Sequence, residues 1–306
     1  MNANNKIAVL CGGISPESEI SKVSGKYVFD SLKKSFDARL FVLEKNELPE
    51  GLDSSFAVFP AMHGDYGEDG TLQKQLEDAG IEFAGCGSLA SRVCMVKPAA
   101  KALMKFAGLP VAKSIEFSAG GKPDAAAAAK LFPNGAVIKP ADKGSSVGLT
   151  IAKSAAEIEA AINSAGEGFW IIEEFVKGRE FSMGVIGGKA AGLVEIIPNC
   201  GVYDYKSKYT PGSTTYEFPA KVSQKTLAAI SAAAEAAYRA CGCRDFARVD
   251  FLLPEGSETG FVILEINTLP GMTPTSLMPK SASCIGLDFD ALCKKMIENA
   301  LGRMRK

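Results

Sequence analysis

Two short segments near the end of the chain constrain its fold more than any other part. In Phe246-Ala247-Arg248-Val249-Asp250-Phe251, alternate side chains of an extended strand point to opposite faces. Arg248 and Asp250 therefore share one face, and Val249, Phe251 and Leu253 the other. In Ile263-Leu264-Glu265-Ile266-Asn267, the same alternation sets Glu265 and Asn267 opposite Leu264 and Ile266. The turn-forming stretch 254–260 joins them. Each strand has one face to bury and one carrying charged or amide groups. Asp250, Glu265 and Asn267 offer oxygen donors only, which suits Mg²⁺ with phosphate oxygens and waters completing its shell. The pattern alone is equally met by a hairpin whose polar face is solvated.

The first eighty residues read differently. A short apolar strand from residue 6 to 10 meets the turn Cys11-Gly12-Gly13-Ile14, and Ser15, Pro16, Glu17 and Glu19 are suited to a helix start. A helix is expected over 16–34, strands over 39–43 and 56–59, an acidic glycine-rich loop from His63 to Gly70, and a helix over 71–79. That alternation predicts a parallel α/β unit. A smaller α+β unit is expected over 96–179, with helices at 98–107, 125–129 and 154–163 and strands at 136–139 and 170–175. Beyond it, strands dominate, with a long Tyr-rich segment at 198–220 that has the length of a lid. A helix is expected over 223–241 and another over 289–301.

Composition removes several classes. With 34 Lys+Arg against 35 Asp+Glu, the net charge of -1 argues against a nucleic-acid partner. No apolar run approaches a membrane span, and residues 1–6 are not a signal peptide. The eight cysteines form no Cys-x-x-Cys pair and are expected as reduced thiols, as in the cytoplasm. The one histidine, His63, leaves any Ser-His or Cys-His mechanism a single candidate.

Three further groups could carry chemistry. Lys139 ends an apolar strand, and Lys97 precedes Pro98 at a helix start, where a cation opposes the helix dipole unless it serves an anion. Taken singly, each reads first as a surface lysine. Lys143-Gly144-Ser145-Ser146-Val147-Gly148 could bring backbone N–H groups to phosphate, or be an ordinary loop; it is neither a Walker loop nor a dinucleotide fingerprint. In Leu269-Pro270-Gly271-Met272-Thr273-Pro274-Thr275-Ser276, the Gly271 N–H could face an oxyanion and Ser276 a carboxylate, or the stretch could be a plain turn.

In chain order these segments resemble the ATP-grasp family and, within it, the D-alanine–D-alanine ligases. The residues that carry the resemblance are Gly12-Gly13-Ile14-Ser15-Pro16-Glu17, His63-Gly64 with Gly67-Glu68-Asp69-Gly70-Thr71-Leu72-Gln73, Lys139-Pro140 with Gly144-Ser145-Ser146-Val147-Gly148, Tyr205-Lys206-Ser207-Lys208-Tyr209, Arg248-Val249-Asp250-Phe251 and Glu265-Ile266-Asn267-Thr268-Leu269-Pro270-Gly271-Met272. The resemblance implies a three-domain ATP-grasp architecture of mixed α/β and α+β class with an N-terminal parallel α/β domain. The expected divisions are 1–95 on the substrate side, 96–179 as the central subdomain, and 180–306 as the C-terminal catalytic domain. It implies ATP-dependent joining of two D-alanine molecules through an acyl phosphate, with two Mg²⁺ (or Mn²⁺), in a cytoplasmic homodimer that supplies cell-wall precursor.

The resemblance also implies roles. Glu17 would anchor the first D-alanine's ammonium, with His63 near its carboxyl group. Lys97, Lys139, Ser145 and Ser146 would contact nucleotide phosphates, with Ser145 linked to Glu17 and Tyr209. Glu173 and Val176 match the adenine-contacting stretch and Glu180 the ribose contact. Lys208 and Tyr209 would lie on the lid. Arg248 and the Gly271 N–H would stabilise the oxyanion, Asp250, Glu265 and Asn267 would ligate magnesium, and Ser276 would bind the second carboxylate. Two positions depart: Val96 stands where aspartate is common, and Glu174 where lysine often follows the glutamate. Rival readings are a D-alanine–D-lactate ligase, against which Tyr209 speaks, and a non-catalytic nucleotide-binding protein, against which the intact metal-ligand set speaks.

Overall fold

The computed structural model describes residues 6–144, 147–199, 210 and 212–304. Three sheets follow one another along the chain. The first is parallel, with β1 (Lys6–Gly12) between β2 (Asp37–Leu43) and β3 (Phe56–Pro60). Its centre is apolar without alternation because both faces are covered. Ile7, Val9 and Cys11 face one core, which includes Val28 and Leu32 of α1 (Ser18–Leu32). Ala8 and Leu10 face another, with Leu72 and Leu76 of α2 (Thr71–Asp78). The helix expected from residue 16 starts at Ser18, and Ser15 is not its cap. The Ser15 hydroxyl instead donates to the His63 carbonyl at 2.9 Å, which ties the turn to the acidic loop.

After α3 (Ser88–Met95) and α4 (Lys97–Phe106) comes a four-stranded antiparallel sheet. It orders β4 (Ser114–Ser118), β7 (Phe169–Glu174), β5 (Ala136–Pro140) and β6 (Thr150–Ala152). Two helices, α5 (Ala125–Leu131) and α6 (Ala155–Ser164), cover it. Asp124 and Ser154 cap them by accepting backbone N–H bonds, as residues of these types do at helix starts.

The third sheet is antiparallel, in the order β10 (Thr214–Glu217), β9 (Lys189–Pro198), β8 (Gly178–Ile186), β11 (Phe246–Pro254) and β12 (Val262–Asn267). Its apolar face packs on α4 and α7 (Gln224–Ala240). The expected hairpin of β11 and β12 is present, with one correction. Asp250 pairs with Glu265 but Phe251 pairs with Ile263, so Leu264 is an extra residue in β12. Ile263 is fully buried and Leu264 only partly, so the core side of β12 is carried by Ile263 and Ile266. The segment 198–220, expected to be loop throughout, ends in the edge strand β10. Two helices close the chain, α8 (Leu277–Ser283) and α9 (Phe289–Arg303). The second of these packs back onto the first sheet.

Candidate active site

The register of β11 and β12 sets Arg248 opposite Asn267 and Asp250 opposite Glu265. Asp250 is almost wholly buried, and three side chains hydrogen-bond to it. Its carboxylate accepts from Arg248 Nε at 2.9 Å and Nη2 at 2.8 Å, from Ser182 Oγ at 2.6 Å, and from Asn267 Nδ2 at 3.1 Å. Ser182, on β8, was not found from the sequence; it lies opposite Asp250 across the β8–β11 pair, which no local motif shows. Among the described residues no cluster of three or more His, Cys, Asp or Glu side chains could hold a metal. Two carboxylates and one amide oxygen fit a hard cation whose remaining positions are filled by phosphate oxygens and water.

The glycine-rich turn after β12 is held by its own hydroxyls. Ser276 Oγ accepts from the Thr273 N–H at 3.1 Å and lies 2.8 Å from Thr273 Oγ1. A Cβ at Gly271 would come within 3.0 Å of Ser276 Oγ, so glycine permits the close approach.

On the N-terminal side, His63 is buried. Its Nε2 lies 3.0 Å from Ser24 Oγ and its Nδ1 3.5 Å from Glu68 Oε1. Gly64 has φ +79° and is also the place where Glu17 comes in: a Cβ there would lie 2.8 Å from the Glu17 carboxylate. The acidic loop meets the glycine-rich loop of the middle sheet, where Lys143 Nζ lies 2.6 Å from Asp65 Oδ2.

The lysines converge on one carboxylate. Glu173 is buried at the end of β7, with Lys139 Nζ 2.6 Å from its Oε2 and Lys101 paired with its Oε1. Burial pushes the Glu173 carboxyl upward, but the ammonium groups of Lys139 and Lys101 outweigh it and hold it below the ordinary value. For Lys139, burial is outweighed by Glu173, Glu265 and Glu180, and its pKa is raised. For Lys101, burial prevails over Glu173 and lowers it. Lys97 donates to the Lys143 carbonyl, so it too faces the glycine-rich loop. Lys101 was missed in the sequence, although a signal exists. Lys97, Ala100, Lys101 and Met104 have the i, i+3, i+4, i+7 spacing of a buried helix face, and all four are buried.

Val176 and Glu180 are partly buried beside β7 and in β8. The departure at Glu174 has a local use: its carboxylate accepts the Lys113 N–H at 2.9 Å. Ser145, Ser146, Lys208 and Tyr209 lie outside the described residues. A narrow space of about 20 Å³ is lined by Glu68, Lys97, Gly144, Glu265 and Asn267, among others. A wider, open hollow of about 440 Å³, lined by Arg179, Lys221 and Glu258, holds none of the predicted residues. We assign the site to the narrow space because Glu68, Lys97 and Glu265 line it together, beside Asn267 and the glycine-rich loop.

Comparison with known proteins gives a consistent picture. The family described as "D-ala D-ala ligase C-terminus" matches residues 103–298. A D-alanine–D-alanine ligase from an Anaeromyxobacter species is 43% identical over 305 residues, covering 96% of each chain. One from Syntrophotalea carbinolica is 36% identical with the same coverage. Among solved structures, the Bacillus anthracis D-alanine–D-alanine ligase complexed with ATP aligns with a TM-score of 0.84 at 28% identity, covering 98% of both chains. The VanG D-Ala:D-Ser ligase of Enterococcus faecalis aligns at 0.83 with 31% identity, covering 97% of this chain and 99% of its own.

Proposed function

This chain belongs to the D-alanine–D-alanine ligase family, and from that premise we infer that its cleft joins two D-alanine molecules with cleavage of ATP to ADP and phosphate. The product, D-alanyl-D-alanine, is a peptidoglycan precursor. The observation that carries this reading is the pairing of Arg248 with Asn267 and Asp250 with Glu265 across the β11–β12 hairpin, whose Glu265 and Asn267 line one space with Lys97 and Gly144.

In the first step a carboxylate oxygen of one D-alanine attacks the γ-phosphorus, and ADP leaves with the bridging oxygen and its electron pair. Glu17 anchors the ammonium of that D-alanine, and His63, held by Ser24, lies beside its carboxyl group. The buried position of His63 and the approach of Glu17 to Gly64 support these roles. Lys97, Lys139, Ser145, Ser146 and Lys208 bind the nucleotide's phosphates, Glu173 and Val176 its adenine, and Glu180 its ribose. Little covalent work falls to the protein in phosphoryl transfer; positioning and charge neutralisation dominate.

In the second step the free amine of the other D-alanine attacks the acyl carbon. Arg248 and the Gly271 N–H receive the charge that develops on the carbonyl oxygen, phosphate leaves, and the amine loses its proton. Ser276 holds the second carboxylate. Asp250, Glu265 and Asn267 would hold two Mg²⁺ or Mn²⁺, which would supply charge neutralisation at the phosphates. By the family resemblance, Lys208 and Tyr209, which lie outside the described residues, would serve on a lid that keeps water from the acyl phosphate. We further propose the three divisions 1–95, 96–179 and 180–306, a homodimer, and a cytoplasmic setting. No helix among the described residues is long and apolar enough to cross a membrane.

The test is phosphate release from ATP near neutral pH with D-alanine alone, then with D-lactate or D-serine added. Dipeptide formation with D-alanine, and no depsipeptide or D-alanyl-D-serine in the mixed reactions, is the expected result. Preferential use of D-lactate or D-serine as second substrate would overturn the assignment of D-alanine to that position.

A further inference from the structure

Glu173 is held by two cations, only one of which has a role in the reading above. Lys101 is 5% exposed and sits one helical turn beyond Lys97 on α4. Its ammonium donates to the Ala112 carbonyl at 3.0 Å and pairs with Glu173 Oε1, while Lys139 takes Glu173 Oε2 at 2.6 Å. Burying a lysine costs free energy, and replacing buried ions by apolar side chains is often neutral or stabilising. Lys101 therefore needs a reason beyond stability.

Charge supplies the reason. Lys139 and Glu173 alone would form a neutral pair and present no net charge to an anion. With Lys101, two cations in direct contact share one carboxylate, and the trio carries a surplus of one positive charge. Glu265 and Glu180 also act on Lys139, and Glu174 on Lys101.

We propose that Lys101 is a positioning residue of the nucleotide site. It occupies one oxygen of Glu173, so that Glu173 can orient Lys139 without cancelling the charge that Lys139 offers to the triphosphate. This inference rests on the assignment of Lys139 to the nucleotide phosphates. Lys101 itself touches no substrate; it acts through Glu173.

The experiment measures ADP affinity by titration calorimetry in Mg²⁺, together with KM for ATP, KM for D-alanine and kcat. Lys101→Met and Lys101→Gln are expected to weaken ADP at least about tenfold, raise KM for ATP similarly, and leave kcat and KM for D-alanine within about twofold. Lys101→Arg, which keeps the charge, restores ADP affinity. Lys101→Gln keeps a donor for the Ala112 carbonyl, so it serves if the methionine variant fails to fold. In a Glu173→Gln background, Lys101→Gln is expected to cost less than about threefold, because two residues acting as one unit are not additive. Wild-type ADP affinity in Lys101→Gln, an undiminished effect in the Glu173→Gln background, or an equal loss of kcat would each overturn the proposal. Lys139→Met separates the two readings. If it binds ADP normally, the nucleotide assignment itself fails; if it alone weakens ADP, only the role of Lys101 fails.

Discussion

Two charge clusters in this molecule have opposite composition. At one, Glu173 is held between Lys101 and Lys139. At the other, Arg303 of α9 is held between two acids: its Nη1 and Nη2 each lie 3.0 Å from an oxygen of Asp245, and its Nε lies 2.7 Å from Glu82. The second cluster is closed by backbone. Arg303 Nη2 also donates to the Phe83 carbonyl at 2.6 Å, and Asp245 accepts the Gly85 N–H at 3.0 Å. Its geometry is bidentate, and it ties the last helix to the loop after the first sheet and to the start of β11. The lysine cluster has a surplus cation and lies among the residues of the cleft. What separates a structural clamp from a binding device is where the surplus charge is directed, not how many ions are buried.

That contrast can be broken by experiment. The largest effect is expected in the cleft: Glu265→Ala should lower dipeptide synthesis by at least about a hundredfold with little change in stability, by removing a carboxylate from the cation's shell. Phosphate release across a Mg²⁺ series measures it, and near-normal turnover at saturating Mg²⁺ would contradict the ligand role. The clamp should behave in the opposite way. Arg303→Ala leaves the Asp245 carboxylate buried without its partner and is expected to cost about 2–3 kcal/mol of stability, discounted because Arg303 is partly exposed. Urea unfolding measures this, and kcat below the new midpoint should be unchanged.

The smallest effect is a pH dependence. The Glu173 carboxyl is held below its ordinary value of 4.5, so its contribution is complete above that pH and is lost as pH falls through the lower folded value. The stability difference between wild type and Glu173→Gln should therefore shrink in acid. Urea midpoints at pH 7 and pH 3 test this, and a constant difference would contradict it.

Much of this was legible in the sequence for a physical reason. Strand alternation and glycine turns are local signals, and they located the β11–β12 hairpin with Arg248, Asp250, Glu265 and Asn267 on its polar side. What stayed hidden depends on chain partners far apart. The extra residue at Leu264 follows from pairing with β11, not from the composition of β12. Ser15 reads as a helix cap but is recruited by the His63 carbonyl 48 residues away. Ser182 meets Asp250 across 68 residues. Lys101 was concealed in another way: on a helix face shared with Ala100 and Met104, a lysine reads as an exception to the pattern, although at that spacing it marks a charge the interior must use.

The return of α9 to the first sheet has a consequence for how the chain is made. Leu292, Met296, Ile297 and Ala300 fill the same core as Ile7, Val9, Val28 and Phe59. The cover that α1 gives this face of the earliest strands therefore stays incomplete until the last helix has emerged. At about 5–20 residues per second, the interval between β3 and α9 is roughly 10–50 s of synthesis. During that time the part of the apolar face that α9 will fill, around Ile7 and Phe59, is open to chaperones and to neighbouring chains. Truncation within α9 would leave that part of the face permanently open, so defects there should appear as aggregation during expression before they appear as lost catalysis.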